Sequence, residues 1–270
     1  MVNILTDELQ GAMTVRQALP PTSAQEPSKD KSVLRDTDEE ARHLARMLVR
    51  GARHMALAVL DPTSGFPSAS RVLTGTDLDG VPVILVSALS GHTKGLAGDP
   101  RCSLLAGETG KGDPLAHPRI TVQCIAEKVE RDSPVHLRIR QRFLDRHPKA
   151  KLYIDFPDFY FFRLVPQSAS LNGGFGRAYA LDGSDLVIAN PGSGEEWSNF
   201  SRDIRELTDE ANSLAARLGA KNAGQWRFVG ADSAGLDLIA GDTLLRHEFR
   251  TLQSSPEHAS QYIFNMSKTV

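Results

Sequence analysis

The densest run of side chains able to handle a ligand is Ser87-Ala88-Leu89-Ser90-Gly91-His92-Thr93-Lys94. It leaves an apolar, strand-like run and opens a helix. Free backbone amides, the hydroxyls of Ser90 and Thr93 and the Lys94 ammonium therefore converge where a phosphate would sit. The same residue types serve equally as plain helix caps. Arg71, on the preceding hairpin, supplies a second positive group, and a solvated strand arginine would look the same. Gly173-Gly174-Phe175-Gly176-Arg177-Ala178 invites a dinucleotide reading. That motif needs a helix after it, whereas Tyr179-Ala180-Leu181-Asp182-Gly183 leads into a turn. The glycines instead predict a sharp bend. Histidines 43, 54, 92, 117, 136, 147, 247 and 258 fall in no HxH, HExxH or Cys/His spacing. With GxSxG and GxxxxGK[ST] also missing, metal hydrolysis, a hydrolase elbow and a P-loop have no support.

The elements that must position these residues follow from periodicity. Residues 1–36 hold Pro20, Pro21 and Pro27 among polar residues with no apolar period, which predicts a mobile arm. Thr37 then caps a helix, with Glu40 reaching back, whose Ala41, Leu44, Ala45, Leu48 and Val49 share one face up to Gly51. Strand-like runs follow at 54–60, 67–75, 81–87, 101–106, 119–130 and 158–165. Turn chemistry at Asp61–Gly65 and Asp77–Gly80 favours antiparallel hairpins over parallel crossovers. Helices are expected near 90–98 and at 134–147. Past Asn190-Pro191-Gly192-Ser193-Gly194, one amphipathic helix carries Ile204, Leu207, Ala211, Leu214, Ala215 and Leu218. Three short strands at 225–230, 235–239 and 243–249 and a helix from Pro256 complete the chain. The expected architecture is α+β: an antiparallel barrel at 37–190 and a small C-terminal αβββα domain at 196–270.

The 270 residues carry 31 Lys+Arg against 33 Asp+Glu, so no broad basic face is expected and no nucleic-acid partner. No apolar stretch approaches the ~20 residues that span a bilayer. The start, Met1-Val2-Asn3-Ile4-Leu5, lacks a signal peptide's basic and apolar regions, and Cys102 and Cys124 form no disulfide framework. These features point to a cytoplasmic protein without a membrane partner.

The string Ser87 to Arg101 (SALSGHTKGLAGDPR) is followed by Gly112-Asp113-Pro114-Leu115 and His117-Pro118-Arg119. Then come Arg142-Phe143-Leu144, His147-Pro148, Tyr153, Asp155-Phe156, Asp158-Phe159 and the glycine run at 173–176. In that order they resemble the HugZ-like haem-utilisation proteins, within the pyridoxamine 5′-phosphate oxidase-related, FMN-binding split-barrel superfamily. The resemblance covers roughly residues 37–181. Asp232–Leu238 and Leu245–Phe249 resemble the small C-terminal α/β domain that many of these proteins carry.

The resemblance implies an antiparallel split β-barrel and a homodimer that holds FMN in clefts between its copies. It places Arg71 and Val72 at the flavin edge, Ser87 near the phosphate or ribityl chain, and His92, Thr93 and Lys94 on the phosphate. Gln123 would lie near the isoalloxazine. The implied activity is that of a flavin-dependent oxidoreductase of unknown substrate. Thr76 stands near where such oxidases place a second phosphate lysine, and Thr93-Lys94 replaces their arginine–lysine pair. The haem-utilisation branch implies an alternative, haem binding and oxidative haem degradation, with His247 or His258 as the C-terminal iron ligand. A partner-binding dimer without chemistry is a third reading of the same fold.

Overall fold

The computed structural model describes residues 34–107, 109–189, 191–220 and 225–268. The arm expected at 1–36 lies outside them up to residue 33, but Leu34–Arg35 (β1) is a short strand paired in parallel with Ala178–Tyr179. Helix α1 runs Glu39–Gly51. Its cap is Asp38, which accepts from the Ala41 amide at 2.8 Å, while the expected cap Thr37 donates its hydroxyl to the Ala180 carbonyl at 2.7 Å. Two adjacent residues could cap this helix, and the strand beside Thr37 decided between them.

Strands β2 (His54–Leu60), β3 (Pro67–Thr76), β4 (Pro82–Ser87), β5 (Arg101–Ala106), β6 (Arg119–Lys128) and β7 (Phe159–Asn172) close into a six-stranded antiparallel barrel in the order β7-β4-β3-β2-β5-β6-β7. Its core holds Leu57, Ile84, Leu104, Ile120, Leu164 and Leu171, with Ala41, Ala45 and Val49 of α1 packed in. The continuous apolar run of β4 is explained by burial on two sides. Ile84 and Val86 enter the barrel core, whereas Val83 and Leu85 lie under Ile139 and Phe143 of α3 (Pro134–Arg146).

β7 runs well past the expected end at residue 165, through Pro166. Its pairing with β6 shifts register between Gln123 and Cys124, so Gln167 bulges out and Pro166 needs no ladder hydrogen bond. The glycine-rich bend follows as expected, with Gly174 and Gly176 at φ +107° and +69°. The chain then returns as β8 (Ala178–Asp182), a strand where the sequence suggested only a turn.

The single amphipathic helix expected from 204 is two helices, α4 (Gly194–Asp203) and α5 (Thr208–Arg217), separated at Leu207. They pack with β9 (Arg227–Asp232), β10 (Gly235–Ala240), β11 (Thr243–Glu248) and α6 (Pro256–Lys268) around Trp197, Phe228, Leu236 and Leu238. Three buried arginines, Arg50, Arg142 and Arg246, meet Asp232 where the barrel faces this second sheet; Arg246 also bonds Asp237, and the buried Arg146 donates to the Arg50 and Ala52 carbonyls.

Candidate functional site

The barrel is split. β3 pairs with β4 only at Thr74–Thr76, although it pairs with β2 from Pro67 to Leu73. Beyond Thr74 the two strands diverge, because β4 turns to pair with β7 through Ser87. Helix α2 (Gly91–Gly98) fills the opening. Leu96 enters the barrel core. At Gly95 a side chain would stand 2.7 Å from Val59 Cγ2 and 2.9 Å from the Leu60 carbonyl, so only glycine lets the helix approach β2 this closely.

This seam brings together most of the expected ligand residues. His92 is half-buried, and its Nδ1 shares a hydrogen bond of 3.1 Å with Ser70 Oγ on β3. Burial pushes the imidazole pKa down, so the ring is neutral near pH 7. Arg71, the next residue along β3, is exposed and leaves the strand on the opposite face from Ser70. Lys94 is exposed as well, and neither cation has an ion-pair partner among the described residues. Val72 is 4% exposed within the barrel core, so only its backbone is available to a ligand.

The hydroxyls at the helix start are committed internally. Ser90 Oγ and Thr93 Oγ1 lie 2.8 and 2.7 Å from the Ser87 carbonyl and 2.7 Å from each other. Two hydroxyl protons serve three contacts, leaving none for a phosphate. Ser87 Oγ in turn donates to the Asp158 carboxylate at 2.7 Å, which sets a negative charge beside the expected phosphate position. The backbone amides of Gly91, His92 and Thr93 remain, since Ser90 forms no side-chain cap with them.

Gln123 lies on the barrel's outer face, on β6, where its Oε1 accepts from Ser168 Oγ at 2.8 Å. It lines two open cavities of about 510 Å³ each. One is largely apolar, with Ala58, Val59, Leu60, Ile125 and Gln167 in its wall. Val59 and Leu60 also touch α2, so this cavity adjoins the seam. The other is more polar and runs over Thr121, Ser168, Ser170 and Asp182. The buried thiols of Cys102 and Cys124, opposite each other on β5 and β6, are free.

His247 and His258 are not part of this seam. His247 Nε2 bonds the Tyr262 hydroxyl at 2.8 Å, with Phe249 and Tyr262 rings around it. His258 Nδ1 bonds Ser254 Oγ at 2.7 Å. No hydrogen bond or ring contact joins either to β3 or α2 among the described residues. Sequence reasoning missed Ser70, Asp158 and Gln167. The alternation of β3 could have offered Ser70, but Asp158 meets Ser87 only because β4 pairs with β7.

The model of the CREG β-barrel family matches residues 36–187, the whole barrel with α1 and β8. The chain belongs to that family. The barrel is also that of the HugZ-like, pyridoxamine 5′-phosphate oxidase-related group. It is 34% identical over 119 residues to the chloroplastic non-canonical heme oxygenase HOZ of Arabidopsis thaliana, a match that covers 44% of this chain and 36% of the relative. It is 30% identical over 139 residues to the heme oxygenase HutZ of Vibrio cholerae, covering 49% of this chain and 76% of that one. Among solved structures, a heme binding protein of Mycobacterium smegmatis superposes with a TM-score of 0.52 at 29% identity, over 86% of this chain and 98% of its own. No helix among the described residues is long and apolar enough to cross a membrane.

Proposed function

We propose that this chain binds haem in the apolar depression beside the barrel seam, as a homodimer whose second copy covers it, and takes part in oxidative haem breakdown. The observation that carries this reading is that three separate relatives, two from sequence and one from structure, are each named for haem. The residues present suit the group. A porphyrin face needs an apolar wall, which Ala58, Val59, Leu60 and Ile125 supply. Its propionates need cations, and Arg71 and Lys94 are exposed and uncommitted. Its iron takes a neutral imidazole, and His92 is neutral with Nδ1 held by Ser70 and no hydrogen bond at Nε2 among the described residues. Haem, when bound, supplies the redox-active iron; the protein's part is to hold it, orient it and exclude water.

The proposed second copy would sit on the outer face. Leu60, Leu73 and Leu105 are 38%, 38% and 46% exposed there, and each depression is open. A dimer burying more than ~1,600 Å² would cover them. Light scattering that gives one chain mass, 29.4 kDa, would reject it.

FMN binding with flavin-dependent oxidoreduction is the second reading, favoured by the free amides at the start of α2. The committed hydroxyls of Ser90 and Thr93 and the nearby Asp158 count against it. Absorption spectra of the purified protein with FMN or haem added separate the two. A stoichiometric Soret band is expected, and flavin uptake without one would reverse the order. Changing His92, His247 and His258 singly to alanine then finds the iron ligand, with loss of the band's sharpness expected for His92→Ala alone.

A further inference from the structure

The chain has two cysteines, and the fold sets them directly opposite each other on neighbouring strands. Cys102 on β5 and Cys124 on β6 are 7% and 2% exposed, both are free, and both line the apolar cavity beside the seam. No function described above uses them.

Their place in the ladder decides what they can do. The Ala126 amide donates to the Pro100 carbonyl at 2.8 Å, and Cys124 and Cys102 stand two residues further along each strand. They therefore occupy a hydrogen-bonded pair, whose α-carbons lie about 5.5 Å apart. That separation is inside the range of about 4.4–6.8 Å that a disulfide spans. Directly opposed side chains keep their β-carbons about 4.5–5.5 Å apart, against about 3.5–4.5 Å in a disulfide, so the strands must draw together by about 1 Å. β6 has that freedom here. Its register against β7 shifts between Gln123 and Cys124, which interrupts the ladder on the side away from Cys102.

The two thiols are unequal. The Cys124 thiol lowers the pKa of Cys102 against the opposing effect of burial, whereas Cys102 and burial push Cys124 up. Cys102 is also the more exposed, so it is the one that reacts first. We propose that Cys102 and Cys124 are a peroxide-reactive dithiol in the cavity wall, which hydrogen peroxide closes to a disulfide within the chain. The Cys102 thiolate attacks one peroxide oxygen, the O–O bond breaks, and hydroxide leaves, becoming water with the proton that the thiol gave up. The Cys124 sulfur then attacks the sulfenic acid sulfur, forming the S–S bond, and its proton departs with the hydroxyl as a second water. Peroxide gains the two electrons that the thiols lose.

The full chain, reduced and then freed of reductant, is treated with stoichiometric hydrogen peroxide and its intact mass is measured. The expected result is a loss of two hydrogen atoms, no thiol left for maleimide after unfolding, and one linked peptide pair holding Cys102 and Cys124. Dithiothreitol should reverse all three. In Cys124→Ala the reaction should stop at a sulfenic acid that dimedone labels at Cys102, while Cys102→Ala leaves Cys124 unlabelled. Cys124→Val and Cys102→Val serve if the alanine variants do not fold. Thiols that survive the treatment overturn the proposal, as does oxygen added to either cysteine of the parent without a link, or a link between two chains. Dimedone on Cys124 in Cys102→Ala, with none on Cys102 in Cys124→Ala, overturns the order of attack.

Discussion

Acidification should destabilise this fold through His147. The residue ends α3, is 4% exposed, lies with its ring centroid 4.7 Å from that of Phe143 and donates from Nε2 to the Thr74 carbonyl at 2.8 Å. Burial above all pushes its pKa down to about 4; the Thr74 carbonyl opposes the shift, and Arg146, Arg53 and His54 add to it. In the unfolded chain the same ring titrates near about 6.5. The folded pKa lies below the unfolded one, so between those values the unfolded state binds the proton and the folded state does not. Stability is therefore fully present above about pH 6.5 and is lost progressively as pH falls toward about 4. The whole gap is worth about 3.4 kcal/mol, of which about 2 kcal/mol is lost on going from about pH 7.5 to about pH 5. Burial also lowers His92, His136 and His247, so the parent's slope contains their contributions too. His147→Gln isolates the one residue, since its amide can still donate to Thr74 and has nothing to titrate. Urea unfolding followed by circular dichroism at four or five pH values should give a variant whose stability falls less steeply than the parent's, by about 2 kcal/mol at about pH 5. Parallel curves for the two proteins would refute the argument.

Asp232→Asn should cost about 3–5 kcal/mol in urea unfolding, because it strips the shared carboxylate charge from three buried arginines. Gly95→Ala drives a methyl into Val59 and the Leu60 carbonyl. It should cost about 1–3 kcal/mol and lift α2 off β2, visible as lost order at His92 in NMR spectra. Lys94→Ala should leave the fold intact by circular dichroism and weaken retention of haem or FMN by about 1.5–3 kcal/mol, read from ligand titration. Unchanged affinity would place the anionic end of the ligand elsewhere.

Local chemistry alone determined much of this protein. The β2, β5 and α1 periods, the Asp77–Gly80 turn with Gly80 at φ +87° and the 173–176 bend depend on residues within a few positions of each other, so the sequence states them directly. The helix start at 90–94 was legible for the same reason: capping residues, glycine and lysine crowd into five positions. What tertiary structure decided involves partners far apart in the chain. The Pro166 strand survives because β6 shifts register opposite it, and β8 is a strand because β7 and β1 flank it. Asp158 reaches Ser87 across 71 positions, turning an apparent phosphate clasp into a closed hydroxyl network. Hydropathy patterns assign arginine to solvent, yet Arg50 is buried against Asp232 from 182 positions away. Burial of charge is set by the partner that meets it, and the chain names that partner only once folded.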